Sequence, residues 1–174
     1  MIRDYLNKLV GIKLKGRKKQ LVVGIVLAYN EEWLLIKSNP VDYIMDGYQL
    51  IKIDKITTVE RDENILFLEE VLKAKHVDFY TKPIELKENI FLTLIDIDRK
   101  YGAIGVEFKD EETYYVGKYM ESEDGEYFAF EELADNGEWQ EEIEEFRISN
   151  VYCIDFDGDY IQSLLLYAGK KLSK

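Results

Sequence analysis

Three carboxylates stand at alternate positions in Asp155-Phe156-Asp157-Gly158-Asp159. Oxygen ligands spaced in this way suit a hard divalent cation, as in calcium-binding loops. The glycine comes too early for such a loop, and no glutamate lies at its closing distance. The same residues suit a strand-to-helix turn in which Asp157 or Asp159 caps the helix. A divalent-metal enzyme using Asp155, Asp157 and Asp159 therefore ranks last among the functions considered, and no cofactor is expected. Asp96 and Asp98 form a second carboxylate pair. Alternating along a strand they would project from one face, and one of them, if buried, would titrate high enough for acid–base work. The bland reading is a solvent face set against Leu94, Ile95 and Ile97.

His76 is the sole histidine, so a triad or a histidine-bound metal would have to use it. It falls at the end of a helical pattern, where a cation favours the helix dipole. Cys153 is the sole cysteine and lies between Tyr152 and Ile154, a setting typical of a buried, inert thiol. It cannot form an internal disulfide. Neither residue has a catalytic companion, and the chain is expected not to be an enzyme.

Aromatic residues argue for binding instead. Tyr43, Tyr48, Tyr114, Tyr115, Tyr119, Tyr127 and Trp139 fall on or near hairpins. Tyr114, Tyr115, Tyr119 and Trp139 are expected to be anchors for a protein or peptide partner. Glu141, Glu142 and Glu144 would supply electrostatic steering toward a basic one, and an inhibitor of a basic toxin, or an immunity-type protein, is one concrete form of this. Half-buried packing in strands is the competing use of tyrosine. The alternative function is nucleic-acid binding by the basic edge Lys13, Lys15, Arg17, Lys18 and Lys19. That patch is short and lacks stacking aromatics, so nucleic acid is the lesser expectation.

Charge divides the 174 residues unevenly within a net charge of −12. From Arg3 to Lys19 only Asp4 opposes seven basic residues, whereas from Glu107 to Glu145 only Lys109 and Lys118 oppose the acids. An acidic surface repels phosphate backbones and aids solubility. The start, Met1-Ile2-Arg3-Asp4-Tyr5-Leu6, lacks the apolar run of a signal peptide, and no apolar run approaches membrane-spanning length. A cytoplasmic location and no membrane partner are expected.

The elements that must position these residues read as one module written twice. Ile51-Lys52-Ile53-Asp54-Lys55-Ile56-Thr57-Thr58-Val59 matches Phe146-Arg147-Ile148-Ser149-Asn150-Val151-Tyr152-Cys153-Ile154, and Asp62 falls on Asp157. A short amphipathic helix is expected over Ile2–Leu9. Strands follow at Val10–Leu14, Leu21–Tyr29, Trp33–Lys37, Val41–Met45, Gln49–Ile53 and Ile56–Glu60, and a helix after Asp62. In the second copy the spacing predicts strands at Phe91–Ile97, Tyr101–Phe108, Thr113–Met120, Ile143–Ile148 and Val151–Ile154. Gly105 takes the place of Gly24, and an extra stretch runs from Ser122 to Glu142. A final helix runs from Tyr160 to Gly169. The expected domains are 1–76, a linker at 77–88, and 89–174, the second acidic with an extended hairpin.

A short helix, a strand, a basic turn and then Gly24-Ile25-Val26-Leu27-Ala28-Tyr29-Asn30-Glu31-Glu32-Trp33-Leu34-Leu35-Ile36 resemble the first motif of Sm-like domains. Asp46-Gly47 with Ile51 to Val59 is similar to the second motif, whose two short strands close a bent five-stranded barrel. Other SH3-like barrels share this pattern. The resemblance implies a mostly β protein of two tandem Sm-like or SH3-like small barrels, each with a flanking helix. It also implies that homo-oligomers could form through edge strands. RNA-binding members use an asparagine in the first hairpin and an arginine–glycine pair in the second. Here Leu34 follows Trp33 and Asp46 precedes Gly47, and Tyr114, Tyr115 and the acids near Glu142 do not restore that chemistry.

Overall fold

The chain is mostly β, with ten antiparallel strands and three α-helices in a computed structural model that describes residues 2–18 and 21–172. It divides into two compact units, Met1–Glu88 and Asn89–Lys174. No helix among the described residues is long and apolar enough to cross a membrane.

The first unit opens with a single 3-10 turn, Ile2–Tyr5, where a helix to Leu9 was expected. Its strands are β1 (Leu9–Leu14), β2 (Val22–Tyr29), β3 (Trp33–Ser38), β4 (Tyr48–Lys52) and β5 (Ile56–Glu60), in the spatial order β5-β1-β2-β3-β4. The runs are rich in Val, Ile and Leu, which suit a pleated, covered surface. Val10 pairs with Gly24, Leu35 with Leu50 and Ile12 with Val59. Val41–Met45 is a loop and not a strand: the Asn39 side-chain amide donates to the Asp42 and Ile44 carbonyls and occupies acceptors that a ladder would need. Helix α1 (Glu63–Ala74) begins where Asp62 accepts from Ile65 N–H. It ends as His76 adopts a left-handed conformation (φ 59°), while His76 and Val77 N–H return to the Lys73 and Leu72 carbonyls. That pairing satisfies the last helical acceptors. Residues 77–88 are not a free connector, since Phe79 and Ile84 are buried and the carbonyls of Asp78 and Lys87 accept from Lys37 and Asn30.

The second unit starts with helix α2 (Ile90–Tyr101), where the alternation over Phe91–Ile97 suggested a strand. Two ends decide the matter. Asn89 caps by accepting from Phe91 N–H, and Gly102, at φ 85°, closes the other end onto Asp98. Ile90, Thr93, Leu94 and Ile97 then form one buried helical stripe. Its strands are β6 (Ile104–Glu107), β7 (Tyr114–Tyr119), β8 (Tyr127–Leu133), β9 (Trp139–Arg147) and β10 (Cys153–Phe156), in the order β10-β6-β7-β8-β9. Helix α3 (Asp159–Leu172) follows and runs through Gly169. The stretch from Ser122 to Glu142 is not an insertion. It holds β8 and the start of β9, the third and fourth strands of the unit, joined at an Asn136-Gly137 turn.

Both units carry one 3-10 turn between their fourth and fifth strands, Ile53–Lys55 and Ile148–Asn150. By strand order Gly105 on β6 stands where Gly11 stands on β1, and Gly117 on β7 where Gly24 stands on β2. Among the described residues no ladder joins β5 to β4 or β10 to β9, so both strand sets are open where closed barrels were expected.

Candidate functional site

Side chains alternate across a strand, so β7, β8 and β9 of the second unit present two different faces. On one face Tyr115 and Tyr119 meet Phe128, Phe130 and Phe146. Ring centroids are 5.0 Å apart for Tyr115–Phe146, 5.8 Å for Tyr119–Phe128 and 5.1 Å for Phe130–Phe146. Phe91 of α2 stacks on Tyr119 at 6.3 Å. Tyr119 is only 5% exposed. Tyr119 and the half-buried Tyr115 thus pack among the aromatic rings, and Tyr119 also borders the groove described below.

The other face carries Tyr114, Val116 and Lys118 on β7, Met120 just past its end, and Tyr127, Ala129, Glu131 and Leu133 on β8. Helix α3 covers one part of it, burying Ile161 and Ala168 with Ala103, Val116 and Leu133; Trp139 packs against that cluster. The Lys118 ammonium lies 4.6 Å from the centre of the half-buried Trp139 ring. Tyr114 is 40% exposed as a residue, but its ring lies across Gly105, where any Cβ would collide with it. Burial first, and then the neighbouring Asp155 and Glu107 carboxylates, push the Tyr114 hydroxyl above the ordinary phenol range. The hydroxyl is hydrogen-bonded to Asp155, and Tyr160 flanks the ring at 6.2 Å. Tyr114 therefore braces β7 to β10 and α3.

Beyond α3 the same face is uncovered and forms a groove of about 580 Å³. Met120, Tyr127 and Ala129 make its floor, Glu131 and Glu145 its wall, and Lys118 its one basic group; Glu121, Glu123 and Asp124 rim it from the β7–β8 hairpin. Met120 is 49% exposed, and Ile143, paired with Glu131 on β9, is 48% exposed. Five carboxylates face one ammonium across a partly apolar floor. Arg147 stacks 5.8 Å above Tyr127 and reaches Glu126 at 3.5 Å, so its charge is already engaged. No protein-family model, curated protein or solved structure matches this chain.

The expected steering residues sit apart from this groove. Glu141 and Glu142 are exposed on β9, whereas Glu144, opposite Phe130, points to the aromatic face. Glu131 and Glu145 were missed, although alternation from Tyr127 through Ala129 to Glu131, against Phe128 and Phe130, was a usable signal. Asp96 and Asp98 do not pair, because residues two apart on a helix point different ways. Burial raises the Asp98 carboxyl, opposed by Lys118 and by a hydrogen bond from Tyr119 N–H. One oxygen of Asp98 is buried without a hydrogen-bond partner among the described residues.

Asp155, Asp157 and Asp159 are split among β10, a left-handed turn (φ 57° at Asp157) and the first residue of α3. Among the described residues no three His, Cys, Asp or Glu side chains converge as metal ligands. In the first unit, Lys13 on β1 pairs with Glu60 at 2.9 Å; Lys15 and Lys18 are exposed and Arg17 is half-buried. Lys19 lies outside the described residues. Cys153 is buried in β10.

Proposed function

We propose that this protein is a non-catalytic binding module made of two Sm-like or SH3-like small domains, a duplicated pair in which the second takes a basic segment of a protein or peptide partner. The groove beside α3 carries this reading: a sheet face left uncovered, with Met120, Tyr127 and Ala129 in its floor and five carboxylates around it. Apolar contact supplies affinity, and the acidic rim accelerates encounter with a cation and disfavours anionic partners. The duplication is supported by the matching strand orders and by the 3-10 turn before each fifth strand. A cytoplasmic setting belongs to the same proposal and suits a sequence whose single cysteine, Cys153, is buried. The basic turn after β1 supports phosphate binding less well, because Glu60 already neutralises Lys13.

The test is titration of the protein with a fluorescein-labelled octapeptide in which pairs of arginines alternate with pairs of valines, so that the extended chain carries arginine on both faces. Binding should weaken by about tenfold between about 50 mM and about 300 mM salt. Glu131→Lys combined with Glu145→Lys should abolish it, whereas Lys13→Glu combined with Lys18→Glu in the first unit should leave it unchanged. Equal binding by the Glu131/Glu145 variant would remove the groove from consideration.

A further inference from the structure

We infer that the partner segment binds as an added β-strand along the outer edge of β9. This rests on the groove reading above and specifies its geometry. Ile148 N–H donates to the Glu126 carbonyl at 2.8 Å, which sets the phase of the β8–β9 ladder. Main-chain groups alternate sides along a strand, so Phe146 and Glu144 turn theirs toward β8, while Arg147, Glu145 and Ile143 turn theirs away. The neighbouring strand gives the same phase independently. Ala129, opposite Glu145, donates to the Glu121 carbonyl and accepts from Met120 N–H, so it has no main-chain bond left for Glu145. Among the described residues β8 is the one strand paired with β9. Ile143 and Glu145 therefore present donors and acceptors in strand spacing, directly beside the groove.

The side chains select what can pair there. Glu145 and Ile143 stand on the groove face of β9, and Glu142 and Glu144 on the opposite face. An incoming strand meets carboxylates on both of its faces. A second β9 is excluded by like charges brought opposite one another, the usual protection of an edge strand. The edge strand of the first unit, β5 with Ile56-Thr57-Thr58-Val59-Glu60, carries no base to match. The complementary occupant is an extended segment of another protein with Lys or Arg on both faces and small or β-branched residues between them. Main-chain bonds would hold it while the acids choose it.

The experiment compares the arginine–valine octapeptide with the same peptide N-methylated at its four central amides. Methylation keeps every charge and side chain but removes donors from both edges of the peptide. Strand addition predicts at least about tenfold weaker binding of the methylated peptide. It also predicts slowed hydrogen exchange at the Ile143 and Glu145 amides when the unmethylated peptide binds. Ile143→Pro, which removes an N–H that β8 does not use, should abolish binding with little loss of thermal stability, while Ile143→Thr should bind. Equal binding of both peptides, still abolished by Glu131→Lys with Glu145→Lys, would overturn strand addition and leave the groove reading standing. Failure of both peptides to bind would overturn both. Protection of the same two amides in the protein alone as its concentration rises would show that a second copy takes the edge, and would also overturn the proposal.

Discussion

Replacing Glu69 by alanine should destabilise the first unit by about 3 kcal/mol, a cost set by what its carboxylate leaves behind. Glu69 is 5% exposed on the inner side of α1. One oxygen accepts from Leu9 N–H and from the Arg61 guanidinium, each at 2.8 Å, and the other accepts from Lys73 at 2.7 Å. Leu9 begins β1 where β5 no longer reaches, since their ladder starts at Gly11 opposite Glu60. Its buried N–H thus has a helix side chain in place of a strand. Removing the carboxylate orphans that donor and strands a mostly buried guanidinium, whereas Glu69→Gln keeps an acceptor and should cost about half as much.

The pH dependence has a definite sign. Burial by itself raises the Glu69 carboxyl, but hydrogen bonds from Lys73 and Leu9 and the charges of Arg61 and Lys73 outweigh it and hold the group below its ordinary 4.5. A carboxyl whose folded value is depressed stabilises fully above the unfolded value and loses that contribution as pH falls through the folded one. The gap between wild type and Glu69→Ala should therefore be full at pH 7 and close progressively below about pH 4.5. Urea denaturation in a Trp139→Phe background reads this directly, since Trp33 then reports the first unit alone. A gap unchanged down to about pH 3 would contradict the account.

Gly117→Ala should cost the second unit about 3 kcal/mol or more, far beyond an ordinary glycine-to-alanine change in a strand. A Cβ on Gly117 would lie 2.1 Å from the Glu131 carbonyl oxygen and 2.8 Å from the Phe130 ring. The carbonyl belongs to the ladder with β8 and cannot retreat without breaking it, and the ring belongs to the aromatic core. Gly24 meets the same obstacle in the first unit, where a Cβ would stand 2.6 Å from the Lys37 carbonyl oxygen. Gly11→Ala is the control: its nearest neighbour would be 3.4 Å away, so the change should stay within about 1 kcal/mol. Thermal melts followed at Trp139, with Trp33→Phe, would show the loss at Gly117. A neutral Gly117→Ala would mean that β7 and β8 approach less closely than described.

Much of the first unit was legible because its strands bury long apolar runs between short turns, and because Asp62 marks a helix start where acids precede an apolar period. The second unit was harder to read. Asp96 and Asp98 alternate with apolar neighbours as they would on a strand, yet Asn89 and Gly102 cap a helix there, and capping outweighs a short alternation. That one misreading displaced the register of the repeat by a strand, which set Gly105 against Gly24 and made β8 look like an insertion.

The candidate site shows the same division. Its chemistry, acids mixed with aromatics between Glu107 and Glu145, is plain in the residues themselves, as are the mostly β class, the hairpin turns and the closing segments that match across the two halves. Those properties depend on neighbours close along the chain. Which aromatics face solvent does not. Tyr115 and Tyr119 differ from Tyr114 and Met120 only by one step of a period of two, and that step acquires meaning when Phe146 and α2 cover one face and α3 covers part of the other. The open edge of β9 likewise exists only once the ladder phase is set by the bond from Ile148 to Glu126. Burial and strand pairing join residues distant in the chain, so tertiary packing alone turned an acidic, tyrosine-rich stretch into a groove with an edge beside it.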